Sequence, residues 1–257
     1  MENSPKALLL SCSRVAGGGF LEHALEAIDR TLAGARELVF VPYALADWDG
    51  YTAMVADSLR RLEVAVRGIH TFASPNSALS DAEAVFVGGG NTFRLLATLE
   101  NADLLAMLRE RAGRDLTYLG SSAGTNLACP TIRTTNDMPI VQPSGFEALG
   151  LVPFQINPHF VGGNPFPGHG GETREERIEQ FHEVADLPVL GLPEPCWLEV
   201  DGHGDDARAV LRGPVPAVLF CRRARPRPLT PGTRLVAGQD GSHCHSVQVI
   251  DSPINRP

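Results

Sequence analysis

The sequence of 257 residues predicts one α/β domain with a doubly wound, mostly parallel sheet and an antiparallel C-terminal extension. Two observations predict it. Short, continuous apolar runs alternate with segments of helical period, which is typical of parallel strands buried on both faces. Towards the C-terminus the apolar runs follow one another closely, with turn residues between them, which indicates antiparallel pairing. In such a sheet, the ligand site is expected beyond the carboxyl ends of the parallel strands.

The first half of the chain alternates predicted strands and helices. Leu21, Leu25, Ile28 and Leu32 are spaced by four, three and four residues, which predicts an amphipathic helix. The other predicted helices lie around residues 54–62, 92–112 and 123–128. The predicted strands are residues 7–10, 38–41, 64–69, 84–87 and 116–119. These helices would supply the crossover connections that parallel strands require.

The second half is richer in loops. Residues 130–143 and 157–171 are rich in Pro, Gly and Asn, and long loops within a compact domain are usually functional. Residues 222–257 are interpreted as a linker followed by an appended hairpin. The predicted elements between these segments are strands at 154–156, 189–192, 197–200, 209–211 and 217–220 and a helix at 172–184.

Composition and charge exclude several classes of function. The 22 basic and 30 acidic side chains give a net charge of -8, which argues against a nucleic-acid-binding protein. Lys6 is the only lysine, which argues against Schiff-base chemistry and a P-loop. The five cysteines are scattered, which indicates reduced thiols and no metal site. No apolar run approaches the ~20 residues of a membrane span. The sequence therefore predicts a cytoplasmic protein with no cofactor.

A candidate nucleophile lies in the segment Gly120-Ser121-Ser122-Ala123-Gly124, which matches the G-x-S-x-G elbow. A strand is predicted just before this segment and a helix just after it, so the turn would lift one hydroxyl clear of the sheet. The amides at the start of the helix can bind a developing oxyanion. Ser122 occupies the central position and is the candidate nucleophile. In the alternative interpretation, Ser121 and Ser122 merely cap the helix.

A serine nucleophile needs a neighbouring base, and the base needs an acceptor that orients it. His159 directly follows a short predicted strand, where it would lie at the same edge of the sheet as Ser122. His169, in a glycine-rich loop, is a rival base. Glu194 follows another predicted strand between two prolines and is the candidate acceptor, although the segment also fits a plain turn.

Several segments of unusual sequence suggest a family. The longest is Ala-Cys-Pro-Thr-Ile-Arg-Thr-Thr-Asn-Asp-Met-Pro-Ile-Val at residues 128–141. The others are residues 87–93, 120–124, 156–160, 171–175 and 191–194. Together they resemble the peptidase E family of serine peptidases, which also contains cyanophycinase, over about residues 7–220. The resemblance implies a fold related to flavodoxin and the class I glutamine amidotransferases.

The resemblance also implies a serine dipeptidase with a Ser-His-Glu triad. The nucleophile of the family falls on Ser122, its base on His159 and its acid on Glu194. The chain order Ser, His, Glu differs from that of the α/β-hydrolases. The resemblance places the oxyanion donors at the amides of Gly90 and Ala123.

The substrates that the resemblance implies are dipeptides with an N-terminal aspartate. Arginine binds a carboxylate through two parallel hydrogen bonds. Arg174 matches the position expected to contact the β-carboxylate, and Arg133 is a second candidate. In the alternative interpretation, Arg174 pairs with Glu175 or Glu176 on a helix surface.

Two alternatives stay open at this point. One is a cyanophycinase-like hydrolase of β-linked aspartyl-arginine, which would share the triad. The other is a non-catalytic amino-acid-binding module on the same fold, which would be expected to lack an intact triad. Neither a nucleic acid nor a membrane is expected as a partner, and the oligomeric state is open between a monomer and a homodimer.

Overall fold

The computed structural model describes residues 6–164, 168, 170–237 and 247–250. The strands are β1 (Ala7–Leu10), β2 (Glu37–Val41), β3 (Ala65–Gly68), β4 (Ala84–Val87), β5 (Thr117–Ser121), β6 (Gln155–Pro158), β7 (Val189–Leu192), β8 (Trp197–Asp201), β9 (Arg208–Arg212), β10 (Ala217–Phe220), β11 (Arg227–Leu229), β12 (Arg234–Ala237) and β13 (Val247–Ile250). The helices are α1 (Leu25–Leu32), α2 (Trp48–Ser58), α3 (Pro75–Asp81), α4 (Thr92–Asn101), α5 (Leu105–Ala112), α6 (Ala123–Leu127) and α7 (Arg174–Val184).

The larger sheet contains nine strands in the order β13-β12-β9-β8-β1-β5-β4-β2-β3. The five strands from β1 to β3 in this order pair in parallel. From β1 outward in the other direction, β8, β9, β12 and β13 pair antiparallel. This arrangement confirms the predicted α/β class, with its parallel strands and antiparallel C-terminal extension.

A second sheet of four strands, in the order β11-β10-β7-β6, differs from the single sheet expected from the sequence. β6 and β7 pair in parallel, and β10 and β11 add antiparallel strands. The apolar runs predict β6, β7 and β10 but not β11, which lies in the segment interpreted as a linker, and they do not specify which strands pair. The parallel pair places the carboxyl ends of β6 and β7 side by side, and residues that follow both strands enter the candidate site.

The parallel strands are buried because their side chains enter two cores, one on each face of the larger sheet. Leu9 and Val85 pack on one face with residues of α3, α4, α5 and α6. Leu8 and Phe86 pack on the other face with residues of α1 and α2. Side chains on both faces are therefore apolar, which explains why these strands form continuous apolar runs in the sequence.

The helix predicted at 92–112 is in fact two helices, α4 and α5. Asp103, between them, has a left-handed backbone with φ 54°. The amide of Leu104 bonds the carbonyl of Leu99 at 2.9 Å, and both side chains are fully buried. The apolar period continues across the break because both helices pack on the same core, so periodicity did not reveal it.

The C-terminal segment contains β11, β12 and β13, with β12 pairing to both β9 and β13. The residues that connect β12 to β13, 238–246, lie outside the described part of the chain, as do residues 251–257. In the ranges that are described, no helix has both the length and the apolar character needed to cross a membrane.

Candidate active site

Ser122 lies in a sharp turn between β5 and α6. Its backbone has φ 52° and ψ -104°, a strained conformation that is concentrated at functional sites in proteins. A Cβ added at Gly124 would lie 2.1 Å from the carbonyl oxygen of Val87, so only glycine lets α6 approach β4 this closely. The Ser122 side chain makes no capping hydrogen bond to α6. Helix capping therefore does not explain this residue.

A hydrogen-bonded series of three side chains begins at Ser122. The Ser122 Oγ atom lies 2.7 Å from His159 Nε2, and His159 Nδ1 is hydrogen bonded to Glu194 Oε1. A carboxylate only accepts hydrogen bonds, so His159 donates through Nδ1 and its Nε2 is free to accept the Ser122 proton. The three residues predicted from the sequence are thus in contact, with a nucleophile, a base and an acceptor in series.

The second sheet positions two members of this series. His159 directly follows β6, and Glu194 lies two residues after β7, whose last residue Leu192 is in register with Pro158 of β6. Ser11, which is fully buried directly after β1, links both strands to the larger sheet through two hydrogen bonds. Its hydroxyl accepts from the His159 amide at 2.9 Å and donates to the Leu192 carbonyl at 2.8 Å.

Ser11 was missed in the sequence analysis. The signal available was a small hydroxyl residue directly after a buried strand, at the sheet edge where ligand sites occur. His159, like Ser122, has a left-handed backbone, with φ 55°. Both members of the 2.7 Å contact are therefore held in a strained conformation by the surrounding structure.

The glycine loop after β4, residues 88–90, lies against Ser122. A Cβ added at Gly89 would lie 3.2 Å from the Ser122 Cβ. The amides of Gly88, Gly89 and Asn91 all donate hydrogen bonds. The Gly90 amide donates to no atom in the described part of the chain, and Gly90 has φ 133°, a conformation that favours glycine.

Ala123 is the first residue of α6. The amides of the first helical turn have no acceptor within their own helix, so the Ala123 amide is available to a ligand. With the Gly90 amide, it gives two donors on the two segments that flank Ser122. Such an arrangement suits an oxygen that gains negative charge.

Arg174, the first residue of α7, is connected through Asn136 to the residue before the base. The guanidinium donates to Asn136 Oδ1, and Asn136 Nδ2 donates to the carbonyl of Pro158 at 2.8 Å, directly before His159. Burial, with a smaller contribution from Arg177, lowers the pKa of Arg174, and the Asp137 carboxylate partly opposes this effect. Among the described residues Arg174 forms no ion pair, and its hydrogen-bond partner is the neutral amide of Asn136.

The two glutamates that offered an alternative partner for Arg174 are engaged elsewhere. Glu176 forms a capping box with Thr173 at the start of α7. Glu175 accepts a hydrogen bond from the Gly163 amide at 2.8 Å. A surface ion pair with Arg174 is therefore not formed.

Arg133, the second candidate for the carboxylate contact, is not hydrogen bonded to the triad in the described structure. Arg133 is exposed, and its guanidinium carbon lies over the Phe146 ring at 5.3 Å from the centroid. No hydrogen bond links it to Ser122 or His159 in the part of the chain described. His169, the rival base, lies outside the described residues.

Two other reactive groups lie near Glu194. Burial, and secondly the Glu194 carboxylate, raises the pKa of the Cys12 thiol to about 12. Burial lowers the pKa of His23, partly opposed by Glu194. Cys12 is therefore protonated at neutral pH and does not compete with Ser122 as a nucleophile.

Comparison with known proteins identifies the family. Residues 7–208 match the sequence model described as peptidase family S51. The chain belongs to peptidase family S51. It is 52% identical over 228 residues to peptidase E of Streptomyces coelicolor, covering 89% of this chain and 92% of that protein. It is 49% identical over 231 residues to peptidase E of Escherichia coli, covering 88% and 98%. Membership of S51 confirms the family and the peptidase activity predicted from the sequence.

Solved structures support the fold of this S51 member. A peptidase from an acI-B1 actinobacterium has a TM-score of 0.64 at 17% identity, covering 90% of this chain and 96% of that one. A protein described as a putative peptidase E from Listeria monocytogenes has a TM-score of 0.53 at 19% identity, covering 87% and 98%. At these identities, the likeness supports the α/β fold alone.

Proposed function

We propose that this S51 peptidase hydrolyses the peptide bond after an N-terminal aspartate in dipeptides, through a serine nucleophile and an acyl-enzyme. The observation that supports this most directly is the contact of 2.7 Å between Ser122 Oγ and His159 Nε2, with Glu194 bonded to the other ring nitrogen. The names of the relatives, peptidase E, support the same class of reaction.

In the first step, His159 Nε2 takes the hydroxyl proton of Ser122 as Oγ bonds to the aspartyl carbonyl carbon. Glu194 holds the ring orientation and stabilises the imidazolium that forms. The carbonyl oxygen becomes an oxyanion, which accepts hydrogen bonds from the amides of Gly90 and Ala123.

In the second step, His159 donates its proton to the leaving nitrogen, and the carbon–nitrogen bond breaks. The second amino acid leaves, and the aspartyl group stays on Ser122 as an ester. His159 then takes a proton from water, which attacks the ester carbonyl, and returns it to the Ser122 oxygen as aspartate leaves.

Specificity for aspartate is assigned to Arg174. Its half-buried guanidinium has a neutral partner, Asn136, so its charge is available to the β-carboxylate of the substrate. Arg133 is kept as a second candidate for this contact. The proposed location is the cytoplasm, where free thiols are stable; Cys12, Cys129 and Cys196 are free thiols.

A dipeptide panel that varies only the first residue tests this proposal. We expect Asp-Leu to be hydrolysed fastest, with Asn-Leu and Glu-Leu slower. We expect Ser122→Ala to lose turnover by several orders of magnitude. Full turnover of Asp-Leu by Ser122→Ala would contradict the mechanism. Preference for β-Asp-Arg over Asp-Leu would instead favour the cyanophycinase-like alternative.

A further inference from the structure

In the proposed mechanism, the glycine loop, residues 88–90, has to hold the Gly90 amide towards Ser122. The Gly88 amide bonds the carbonyl of Val41 at 3.1 Å, and the Asn91 amide bonds a carbonyl at 2.9 Å. The Gly89 amide instead donates to a side chain, the Tyr51 hydroxyl, at 2.8 Å. The peptide that links Gly88 to Gly89 is thus fixed by one phenol, and it directly precedes the peptide that carries the Gly90 amide.

Tyr51 is itself held rigidly on α2. Its side chain is buried, and its ring packs edge-on against Phe40 with centroids 4.9 Å apart. On the other side, a Cβ added at Gly88 would lie 2.7 Å from both Cε1 and the hydroxyl of Tyr51. Burial raises the pKa of Tyr51 to about 12, so the hydroxyl stays protonated in the working pH range.

A second hydroxyl connects Tyr51 to the turn that contains the nucleophile. The Ser13 side chain lies close enough to Tyr51 to act on the pKa of the phenol, and it partly opposes the effect of burial. The Ser13 Oγ atom also lies 2.7 Å from the Oγ of Ser121, which is fully buried and directly precedes Ser122. The Ser13 hydroxyl thus lies between Tyr51, which holds the glycine loop, and the nucleophile turn.

We infer that Tyr51 is a positioning residue for the proposed hydrolysis: its hydroxyl, with Ser13 beside it, fixes the Gly88–Gly89 peptide and thereby the direction of the next peptide, so that the Gly90 amide meets the oxyanion. The inference rests on the proposed function. Tyr51 acts through Gly89. Without the hydroxyl, the Gly89 amide would be buried with no acceptor, which is costly, and the Gly88–Gly89 peptide would turn towards another acceptor and rotate the glycine that follows it. The Gly90 amide would then leave its productive direction.

The test compares Tyr51→Phe with Tyr43→Phe. Tyr43 is also buried, but in the described structure its hydroxyl makes no hydrogen bond, so it is a matched control. We expect Tyr51→Phe to lower kcat on Asp-Leu roughly 10- to 100-fold, because misplacing one oxyanion donor forfeits part of its contribution. The KM should change little, since the donor acts mainly in the transition state. Tyr43→Phe should change neither parameter.

Inhibitor binding separates positioning from a purely structural role. An aspartyl boronic acid, which forms a tetrahedral adduct, should lose affinity for Tyr51→Phe by about the same factor as kcat. Free aspartate, which does not form that adduct, should bind as before. Equal losses for both inhibitors, or a loss of thermal stability with unchanged kcat, would overturn the inference.

Ser13→Ala is a second variant that leaves the Tyr51 ring in place. Loss of the Ser13 hydroxyl beside Tyr51 should lower kcat about 2- to 10-fold, again with little effect on KM. An unchanged kcat for Ser13→Ala would overturn the supporting role of Ser13. An unchanged kcat for both Ser13→Ala and Tyr51→Phe would overturn the whole inference. Failure of the proposed function has a different signature, because the unmodified protein itself would then not hydrolyse Asp-Leu.

Discussion

Arg174→Met tests how the proposed site selects aspartate. The substitution removes the guanidinium but keeps an unbranched side chain of similar reach. In the structure described, Arg174 contacts the neutral amide of Asn136 and forms no ion pair. The lost charge should therefore be felt mainly when a substrate brings a carboxylate into the site.

The expected magnitude follows from the environment of Arg174. Removing one partner of a buried, hydrogen-bonded charge pair costs about 2–5 kcal/mol. Arg174 is only half-buried, so the lower part of that range applies, about 2–3 kcal/mol. This corresponds to a loss of roughly 30- to 150-fold in kcat/KM for an aspartyl substrate.

The assay measures kcat/KM for Asp-Leu and for its uncharged isostere Asn-Leu. We expect Arg174→Met to lose the full factor on Asp-Leu and little on Asn-Leu. Arg177→Met is the matched control, because Arg177 lies one turn further along α7 and faces Glu172 at 3.7 Å. Equal losses on both substrates would refute the reasoning, and a selective loss for Arg133→Met would transfer the role to Arg133.

Two further substitutions and one labelling experiment have expected outcomes. Glu194→Gln should lower kcat by about 10²- to 10⁴-fold in a steady-state assay, since the amide no longer stabilises the imidazolium; a loss under threefold would contradict this. Gly124→Ala should lower the Tm by roughly 2–12 °C, because the added Cβ would lie 2.1 Å from the Val87 carbonyl oxygen. Gly145→Ala, whose Cβ would meet nothing within 4 Å, is the control. Equal Tm values for the two variants would contradict the predicted clash. Burial raises the pKa of the Cys129 thiol to about 12. Cys129 should therefore resist iodoacetamide at pH 8 in the native protein and react in denaturant, as measured by mass spectrometry. Rapid labelling of the native protein would contradict its burial.

Local patterns were sufficient for the nucleophile turn and for many of the elements around it. An apolar run, two glycines and a short helical segment all lie within residues 116–128, so the strand-turn-helix unit needed no knowledge of distant residues. His159 and Glu194 each follow a strand-like run. The edge of a sheet is where such residues converge, and the structure does bring them into contact with Ser122.

The missed features depend on contacts between residues far apart in the chain. Tyr51 and Gly89 are separated by 38 residues, and Ser11 and Leu192 by 181. No local period or motif relates such pairs. The second sheet was missed for the same reason, because pairing partners are set by packing. The break at Asp103 was hidden because the apolar period continues through it.

Labelling with a fluorophosphonate probe tests the central claim, that His159 activates Ser122 as a nucleophile. Intact-mass measurement and peptide mapping report both the number of adducts and the residue modified. We predict one adduct on Ser122, formed far more slowly in His159→Ala. An adduct on another serine, or no adduct on protein that hydrolyses Asp-Leu, would contradict the account.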